Sequence, residues 1–539
     1  MILNNKAATY GGFIALKVYK KYLFDIMTKE ESLFSPWEKR KEMKVVTPKE
    51  MAIMDRHAIA NGTPAIELME RAGIACVKII MKDLNEDAQI VILCGAGNNG
   101  GDGLVIGRLL NEAGFIVHLF LTEPETKLSE DSHVNLNRLK EKAIPIRYLI
   151  EESDFEDFFI ILKRATHIID AIFGTGLVDK DIPEKYHRIF DCVNAFEKEK
   201  IAIDIPSGLR GDIGLNIGNA IFADKTIMIQ NYKTGCLLND GPDYAGNIVV
   251  VDIGIDENSI PNEKYYTQES DLKFPEKRKK NTHKYDYGSV VIIAGSKGMS
   301  GAGILAIEGA LKSGGGLVTC YVPQDIYMPV VARAPAEALI KTYDCNITFD
   351  DIKNDRKKVI LVGPGIGRAK NYSFILEHLL EGSLPVVIDA DGIHHLAVVG
   401  DALKESKTPV VITPHFAEFS KLIDVPREDI LKDPIGYGQK FAMEYQVVVV
   451  LKGYRTMVFG TNGEIWFNST GNPGMATGGS GDVLAGMIAG IAGQNVDLFE
   501  AARAGVYFHG KAGDYYADQF GESTLTAHSI ITSLKHVLK

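Results

Sequence analysis

Gly471-Asn-Pro-Gly-Met-Ala-Thr-Gly-Gly-Ser-Gly-Asp-Val-Leu-Ala-Gly486 holds five glycines in its first eleven residues, at 471, 474, 478, 479 and 481. Val483, Leu484, Met487, Ile488 and Ile491 then recur at helical spacing, so a glycine loop runs into a helix that begins near Gly481. The first N–H groups of a helix have no partner inside it and carry the positive end of its dipole, which makes such a loop a cradle for a phosphate or another anion. Asp482 stands at that N-terminus. An acid there has two roles open to it: a cap on the helix, or a general base that takes a proton from a substrate hydroxyl while adjacent amides hold a phosphoryl group. The glycine density favours the second, because a simple cap does not need close backbone approach from five glycines.

Thr477-Gly-Gly-Ser-Gly-Asp482 resembles the glycine-glycine-x-glycine-aspartate loop of the ribokinase-like superfamily. With Asn472-Pro-Gly-Met before it, the stretch resembles one branch of that superfamily, the ADP/ATP-dependent NAD(P)H-hydrate dehydratases.

The rest of the chain is compatible with two domains of about 230 to 270 residues, since α/β domains often exceed the average domain size. Hydrophobic residues at 46% and charged residues at 24% are ordinary globular values, and 539 residues can bury a sizeable core. A net charge of -11 argues against non-specific nucleic-acid binding, which needs a basic face. The six cysteines, at 76, 94, 192, 236, 320 and 345, form no CxxC pair and read as reduced thiols of a cytoplasmic protein. No apolar run approaches the roughly 18 to 20 residues of a membrane helix. Residues 1–42 read as an N-terminal extension: Phe13 to Ile26 is largely apolar, but Lys17, Lys20 and Lys21 interrupt it before a cleavable signal core is complete.

Residues 43–260 read as the first domain. Pro48 suits a first helical turn, with Met51, Met54 and Ile59 on or near one side, and Ile66, Met69 and Ile74 continue a second helix. Gln89–Cys94 is an apolar run suited to a buried parallel strand, and it ends on Gly95-Ala-Gly-Asn-Asn-Gly-Gly-Asp-Gly103 before another helix. Strand, glycine loop and helix in that order open a doubly wound α/β unit whose ligand sits at the carboxyl edge of the sheet. Gly95-x-Gly97-x-x-Gly100 matches a dinucleotide fingerprint, but the acid expected about 20 residues later is missing, Glu123 being late, which disfavours a hydride-transferring dehydrogenase. Further strands are expected near 116–121, 167–173, 201–205, 226–230 and 248–251. Two of them end in chemistry, Ile168-Ile-Asp-Ala-Ile-Phe-Gly-Thr-Gly176 and Ala202-Ile-Asp-Ile-Pro-Ser-Gly208, so Asp170, Asp204 and Ser207 can converge with Asn98 and Asn99 on one pocket.

These segments resemble the NAD(P)H-hydrate epimerase domain. The resemblance implies that Asn98, Asn99, Gly100, Gly101 and Asp102, together with Gly174, Thr175, Gly176, Leu177, Val178, Asp179 and Lys180, line the hydrated nucleotide, with Asp204 contacting it. It also implies a potassium ion on Asn99, Asp170 and Ser207, whose amide, carboxylate and hydroxyl oxygens are hard ligands. Asp204 is the first choice for the acid/base that inverts the hydrated carbon, and Asp102 stays open as the other.

Residues 261–282 read as a linker, because Glu276-Lys-Arg-Lys-Lys-Asn-Thr-His-Lys284 is a charge run with no apolar face. Residues 283–539 read as the second domain, again doubly wound, with strands expected near 359–362, 385–388, 409–412, 446–451 and 456–459. Its opening, His283-Lys284 followed by a strand and a Gly-Ser loop ending Gly301-Ala302, resembles that of the dehydratases, with Tyr285 where glycine is common. Gly363-Pro-Gly-Ile-Gly367, Thr413-Pro-His-Phe-Ala-Glu418 and Lys452-Gly-Tyr-Arg-Thr456 follow in the family's order, with Ala417 where the family often has glycine. The resemblance implies Ala302, Gly367 and His415 near the hydrated nicotinamide, Lys452, Gly453, Tyr454, Arg455, Thr456 and Gly481 near the adenine nucleotide, and Asp482 at the reacting hydroxyl. His394 and His395 read as structural.

The expected whole is an N-terminal Rossmann-like three-layer sandwich and a C-terminal ribokinase-like domain. By the resemblance, the first interconverts the R and S hydrates of NADH and NADPH, and the second dehydrates the S hydrate using ADP or ATP with magnesium. Homo-oligomerisation and small-molecule partners are expected, with no nucleic acid and no membrane. A small-molecule kinase and a catalytically silent nucleotide sensor are the rival readings.

Overall fold

The computed structural model describes residues 42–177, 182–216, 218–274, 278–343 and 358–538. The chain divides into two compact units that meet in sequence at Asn262 and Glu263.

In the first unit the strands are β1 (Met43–Val46), β2 (Gln89–Cys94), β3 (Ile116–Leu121), β4 (Ile146–Tyr148), β5 (His167–Ala171), β6 (Glu199–Ile203), β7 (Lys225–Ile229), β8 (Tyr232–Lys233) and β9 (Asn247–Val251). Seven of them make one sheet in the order β4-β3-β2-β5-β6-β7-β9, every pairing parallel. β1 and β8 pair separately. Alternate side chains of β2 point to opposite faces. Ile90, Ile92 and Cys94 join one buried cluster with Cys76 and Leu104, while Val91 and Leu93 join another with Phe158 and Phe190. Both faces are therefore covered by helices, and the run is apolar throughout instead of alternating. The first helix, Pro48–Ala60, starts where the sequence places it, with Pro48 in its first turn and a Thr47–Glu50 capping box.

The expected strand 201–205 stops at Ile203 because Asp204 turns the chain with φ of 68°. The expected 167–173 likewise stops at Ala171. Strand order reverses between β2 and β5, and the loops leaving their carboxyl ends form the crevice that such a switch point creates.

The second unit repeats the plan with β10 (Lys264–Tyr266), β11 (Ser289–Ile293), β12 (Leu317–Pro323), β13 (Leu339–Tyr343), β14 (Lys358–Val362), β15 (Val386–Ile388), β16 (Val410–Ile412), β17 (Val448–Leu451), β18 (Met457–Phe459) and β19 (Ile465–Phe467). Their order is β13-β12-β11-β14-β15-β16-β17-β18-β19-β10, parallel except where β18 meets β17 and β19. Here the order reverses between β11 and β14.

The linker expected over 261–282 is structured at its start. β10 pairs with β19, and Leu272 and Phe274 pack against the second unit's core. Burying those side chains outweighs the pull of the charges that follow, whose described members, from Arg278, are exposed. Among the described residues no helix is long and apolar enough to cross a membrane.

Candidate active sites

In the first unit a cavity of about 460 Å³ opens at the β2/β5 switch point. The helix Asn98–Glu112 begins directly after β2, with Gly97 as its cap. A Cβ on Gly100 would lie 1.9 Å from the Gly95 carbonyl oxygen, so only glycine lets the helix start this close to the strand end. Asn98, Asn99 and Asp102 therefore reach the cavity from the first turn, and Gly174, Thr175, Gly176 and Leu177 reach it from the loop after β5. Gly100 and Gly101 are buried instead of lining it. Val178, Asp179 and Lys180 lie outside the described residues.

Asp204 also lines the cavity, its Oδ1 2.5 Å from the fully buried Lys233 ammonium and 3.2 Å from the Ile229 N–H. Three further carboxylates, Asp55, Asp102 and Asp131, line the same space. Burial pushes the Asp55 carboxyl up to about 6, Lys233 opposing and Asp204 adding to the rise. Burial likewise holds Asp102 well above the usual carboxylate range, reinforced by Asp204 and Asp55 and opposed by Lys233.

Asp170, at the end of β5, accepts the Ser207 hydroxyl at 2.6 Å and the Ser207 N–H at 2.7 Å. Burial raises its carboxyl to about 6 against the pull of those donors. Ser207 Oγ accepts the Phe173 N–H, and Asn99 Nδ2 donates to the Phe173 carbonyl at 3.0 Å. That leaves Asn99 Oδ1 buried without a partner among the described residues. An orphaned amide oxygen beside a carboxylate, a hydroxyl and a peptide carbonyl, with neither thiol nor imidazole in the set, fits a hard cation such as potassium. Glu123 is engaged elsewhere, ion-paired with Lys127 and Lys185 and accepting the Tyr186 hydroxyl.

In the second unit the glycine loop is anchored first by Asp514, whose carboxylate accepts the Gly471 N–H at 2.8 Å and the Asn472 amide at 2.9 Å. Gly479, with φ of 88°, caps the helix Ser480–Ala492, one residue earlier than expected. A Cβ on Gly481 would lie 3.3 Å from Lys452 Nζ. That ammonium is 2.8 Å from Asp389 Oδ1, which also accepts the Thr413 hydroxyl at 2.7 Å. Lys452 is thus mostly buried and paired, not a surface charge. Burial alone would lower its pKa, but Asp389, Glu418 and Asp482 together raise it. Asp482, beside this cluster, has its carboxyl pushed up to about 7 by burial and then by Asp389, with Lys452 opposing.

His415 caps the helix Phe416–Ile423 through Nδ1, and its N–H donates to Glu418 at 2.9 Å. Its backbone bridges to Lys452. At the β11/β14 switch point, a Cβ on Gly365 would meet the Ala302 methyl at 2.9 Å. The Gly367 N–H donates to Asp391 at 2.9 Å, and Gly367 O lies 2.9 Å from His395 Nε2. Arg455 donates to the Ser469 carbonyl and covers the Tyr454 ring. Gly453 and Thr456 close that turn on each other.

Residues 290–536 match the NAD(P)H-hydrate dehydratase family, and residues 65–235 match the YjeF-related protein N-terminus family. The chain is 34% identical to the bifunctional NAD(P)H-hydrate repair enzyme Nnr of Moorella thermoacetica, over 92% of this chain and 97% of that one. It is 30% identical to the enzyme of the same name from Escherichia coli, over 88% and 90%. The chain belongs to the bifunctional NAD(P)H-hydrate repair enzymes. The crystal structure of the Bacillus subtilis ADP/ATP-dependent NAD(P)H-hydrate dehydratase, co-crystallised with ATP/Mg2+, is 32% identical to it, covering 49% of this chain and 92% of that one at a TM-score of 0.44.

In this NAD(P)H-hydrate repair enzyme the loops quoted from the sequence converge, but the charges around them come from elsewhere. Asp55, Lys233, Asp389, Asp391 and Asp514 escaped the reading of the sequence. Asp389 had a signal of the same kind as Asp204, a carboxylate directly after an apolar strand. Lys233 had none, since nothing local marks a lysine that ends up fully buried.

Proposed function

We propose that the first unit of this repair enzyme interconverts the R and S hydrates of NADH and NADPH, and that the second dehydrates the S hydrate at the expense of ADP, with ATP as the alternative donor. The observation that carries the second half is the meeting of the glycine loop with the Lys452–Asp389 pair, Gly481 lying against the ammonium and Asp482 beside it. Asp482 takes the proton of the ring hydroxyl, and the hydroxyl oxygen attacks the terminal phosphoryl group of ADP, releasing AMP. The phosphate then leaves with a ring proton and restores the reduced nicotinamide. The N–H groups at the start of the helix Ser480–Ala492 stabilise the transferring phosphoryl charge. Magnesium, when bound with the nucleotide, would neutralise part of the charge on its phosphates.

In the first unit Asp204 acts on the hydrated carbon. Potassium would be held by Asn99, Asp170 and Ser207, where it would supply a fixed positive charge. Gly367, Ala302 and His415 hold the hydrated ring in the second unit, and Lys452–Thr456 border the nucleotide. The protein works in the cytoplasm as a homo-oligomer.

The test is recovery of the reduced-nicotinamide absorbance from a mixture of both NADH hydrates with ADP or ATP supplied separately. Recovery of the whole mixture faster than the epimers interconvert unaided supports both activities and names the donor. Prompt recovery of one epimer alone refutes the epimerase half. No recovery with either donor refutes the dehydratase half and favours an alcohol kinase.

A further inference from the structure

Four carboxylates, Asp55, Asp102, Asp131 and Asp204, and one lysine line the first unit's cavity, and their surroundings differ. Lys233 is fully buried on β8. Its ammonium lies 2.5 Å from Asp204 Oδ1 and also donates to the Ile229 carbonyl, and the Ile229 N–H donates to the same Asp204 oxygen at 3.2 Å. An ammonium and a peptide N–H thus converge on one oxygen of Asp204. Asp204 itself sits at φ of 68°, a backbone state that non-glycine residues seldom hold and that turns its side chain toward the lysine. Asp102, 8% exposed, faces the cavity from the helix Asn98–Glu112 and has no hydrogen bond or ion pair among the described residues. A buried carboxyl group without a partner stays neutral, because nothing offsets the loss of water around its charge. The titratable groups facing it are Asp204 after β6, Lys233 on β8, Asp55 on the helix Pro48–Ala60 and Cys76 on the helix Ala65–Ile80, and Asp131 also lines the cavity.

Resting on the epimerase reading above, we infer that epimerisation is carried by two carboxyl groups of opposite protonation, Asp102 as the acid and Asp204 as the base, and that Lys233 is the positioning residue that keeps them different. Asp102 gives its proton to the ring hydroxyl, and the bond between the hydrated carbon and that oxygen breaks as water leaves. The adjacent ring nitrogen supplies the electron pair. Water then adds to the opposite face of the same carbon while Asp204 takes its proton. The products are the other epimer, an ionised Asp102 and a protonated Asp204, and exchange with solvent returns the proton before the next turnover in the same direction.

The test uses the full chain without nucleotide, so that the dehydratase is idle, and follows conversion of one purified NADH hydrate epimer into the other by chromatography across pH. Asp102→Asn is expected to lower the rate on the order of 10²-fold or more while leaving hydrate binding intact. Lys233→Met is expected to lower kcat more than it raises KM, and to change the pH dependence of kcat, because Asp204 loses the ammonium that holds it. Calorimetric binding of the hydrate in the absence of nucleotide, with circular dichroism and thermal unfolding, confirms that the first unit of each variant has folded. If Lys233→Met loses activity but keeps its pH profile, the lysine is structural and the inference falls. If Asp102→Asn retains full activity, Asp102 is not the acid and the inference also falls. Full epimerisation by Asp204→Asn would instead overturn the reading on which it rests.

Discussion

Asp482→Asn removes one oxygen's basicity and almost no volume, so it isolates the chemistry of the glycine loop. In the native protein the carboxyl is pushed up to about 7, by burial first and by Asp389 second, against the opposing Lys452 ammonium. A general base acts only when ionised. Near pH 6 about a tenth of such groups are ionised, and near pH 8 about nine-tenths, so dehydration should fall roughly tenfold per unit below pH 7. Replacing the base by an amide should cost on the order of 10² to 10⁴ in kcat, about 3 to 5 kcal/mol of barrier. ADP affinity should persist or rise slightly, because a negative charge near the phosphates has gone. The assay is recovery of reduced-nicotinamide absorbance from the S hydrate at saturating ADP between pH 5.5 and 8.5, paired with calorimetric titration of ADP. A variant that binds ADP and turns over like the native enzyme would refute the assignment. So would a native profile that stays flat through pH 7.

Asn99→Ala should abolish any dependence of epimerisation on potassium, because the orphaned Oδ1 is lost; epimer conversion in potassium against sodium buffers checks this. Asp55→Asn should stabilise the first unit more at pH 8 than at pH 5. The carboxyl is raised to about 6 in the folded state, so its ionised form disfavours folding by up to about 3 kcal/mol, an effect that grows as pH rises from the unfolded value toward 6 and is absent below about 4. Thermal unfolding at both pH values measures it. His395→Phe should raise KM for the S hydrate more than it lowers kcat, since Gly367 O loses its 2.9 Å partner while the fold keeps a ring of similar size; steady-state kinetics separates the two.

The two doubly wound domains were legible because their signals are local. β2 and β14 are apolar runs that end on glycines, and β5 and β6 end on or next to an acid. Those strands hydrogen-bond on both sides and are buried on both faces, so composition alone marks them. The strands that went unread, such as β4, β13 and β10, stand at the ends of their sheets or are short, and they are partly exposed, as β13 is with Leu339 at 49%. Edge positions accept polar side chains, which blurs the pattern. The linker was misread over 264–274 for a related reason. Its apolar residues are few, and only the core they meet shows that Leu272 and Phe274 are held by it.

The sites divide in the same way. Glycine loops and carboxylates at strand ends are written in consecutive residues, so the chain by itself names Asp204, Asp170, Asn99 and Asp482 as candidates and assigns them to one sheet edge in each half. What each of them does depends on charge and burial, and those come from residues far away in sequence. Lys233 approaches Asp204 from another strand, Lys452 reaches Asp389 across 63 positions, and Asp55 arrives on a helix with no motif at all. The protonation state of a carboxylate is set by which ammonium or carboxylate stands within a few ångströms and by how much water has been excluded, and neither quantity exists until the chain has packed.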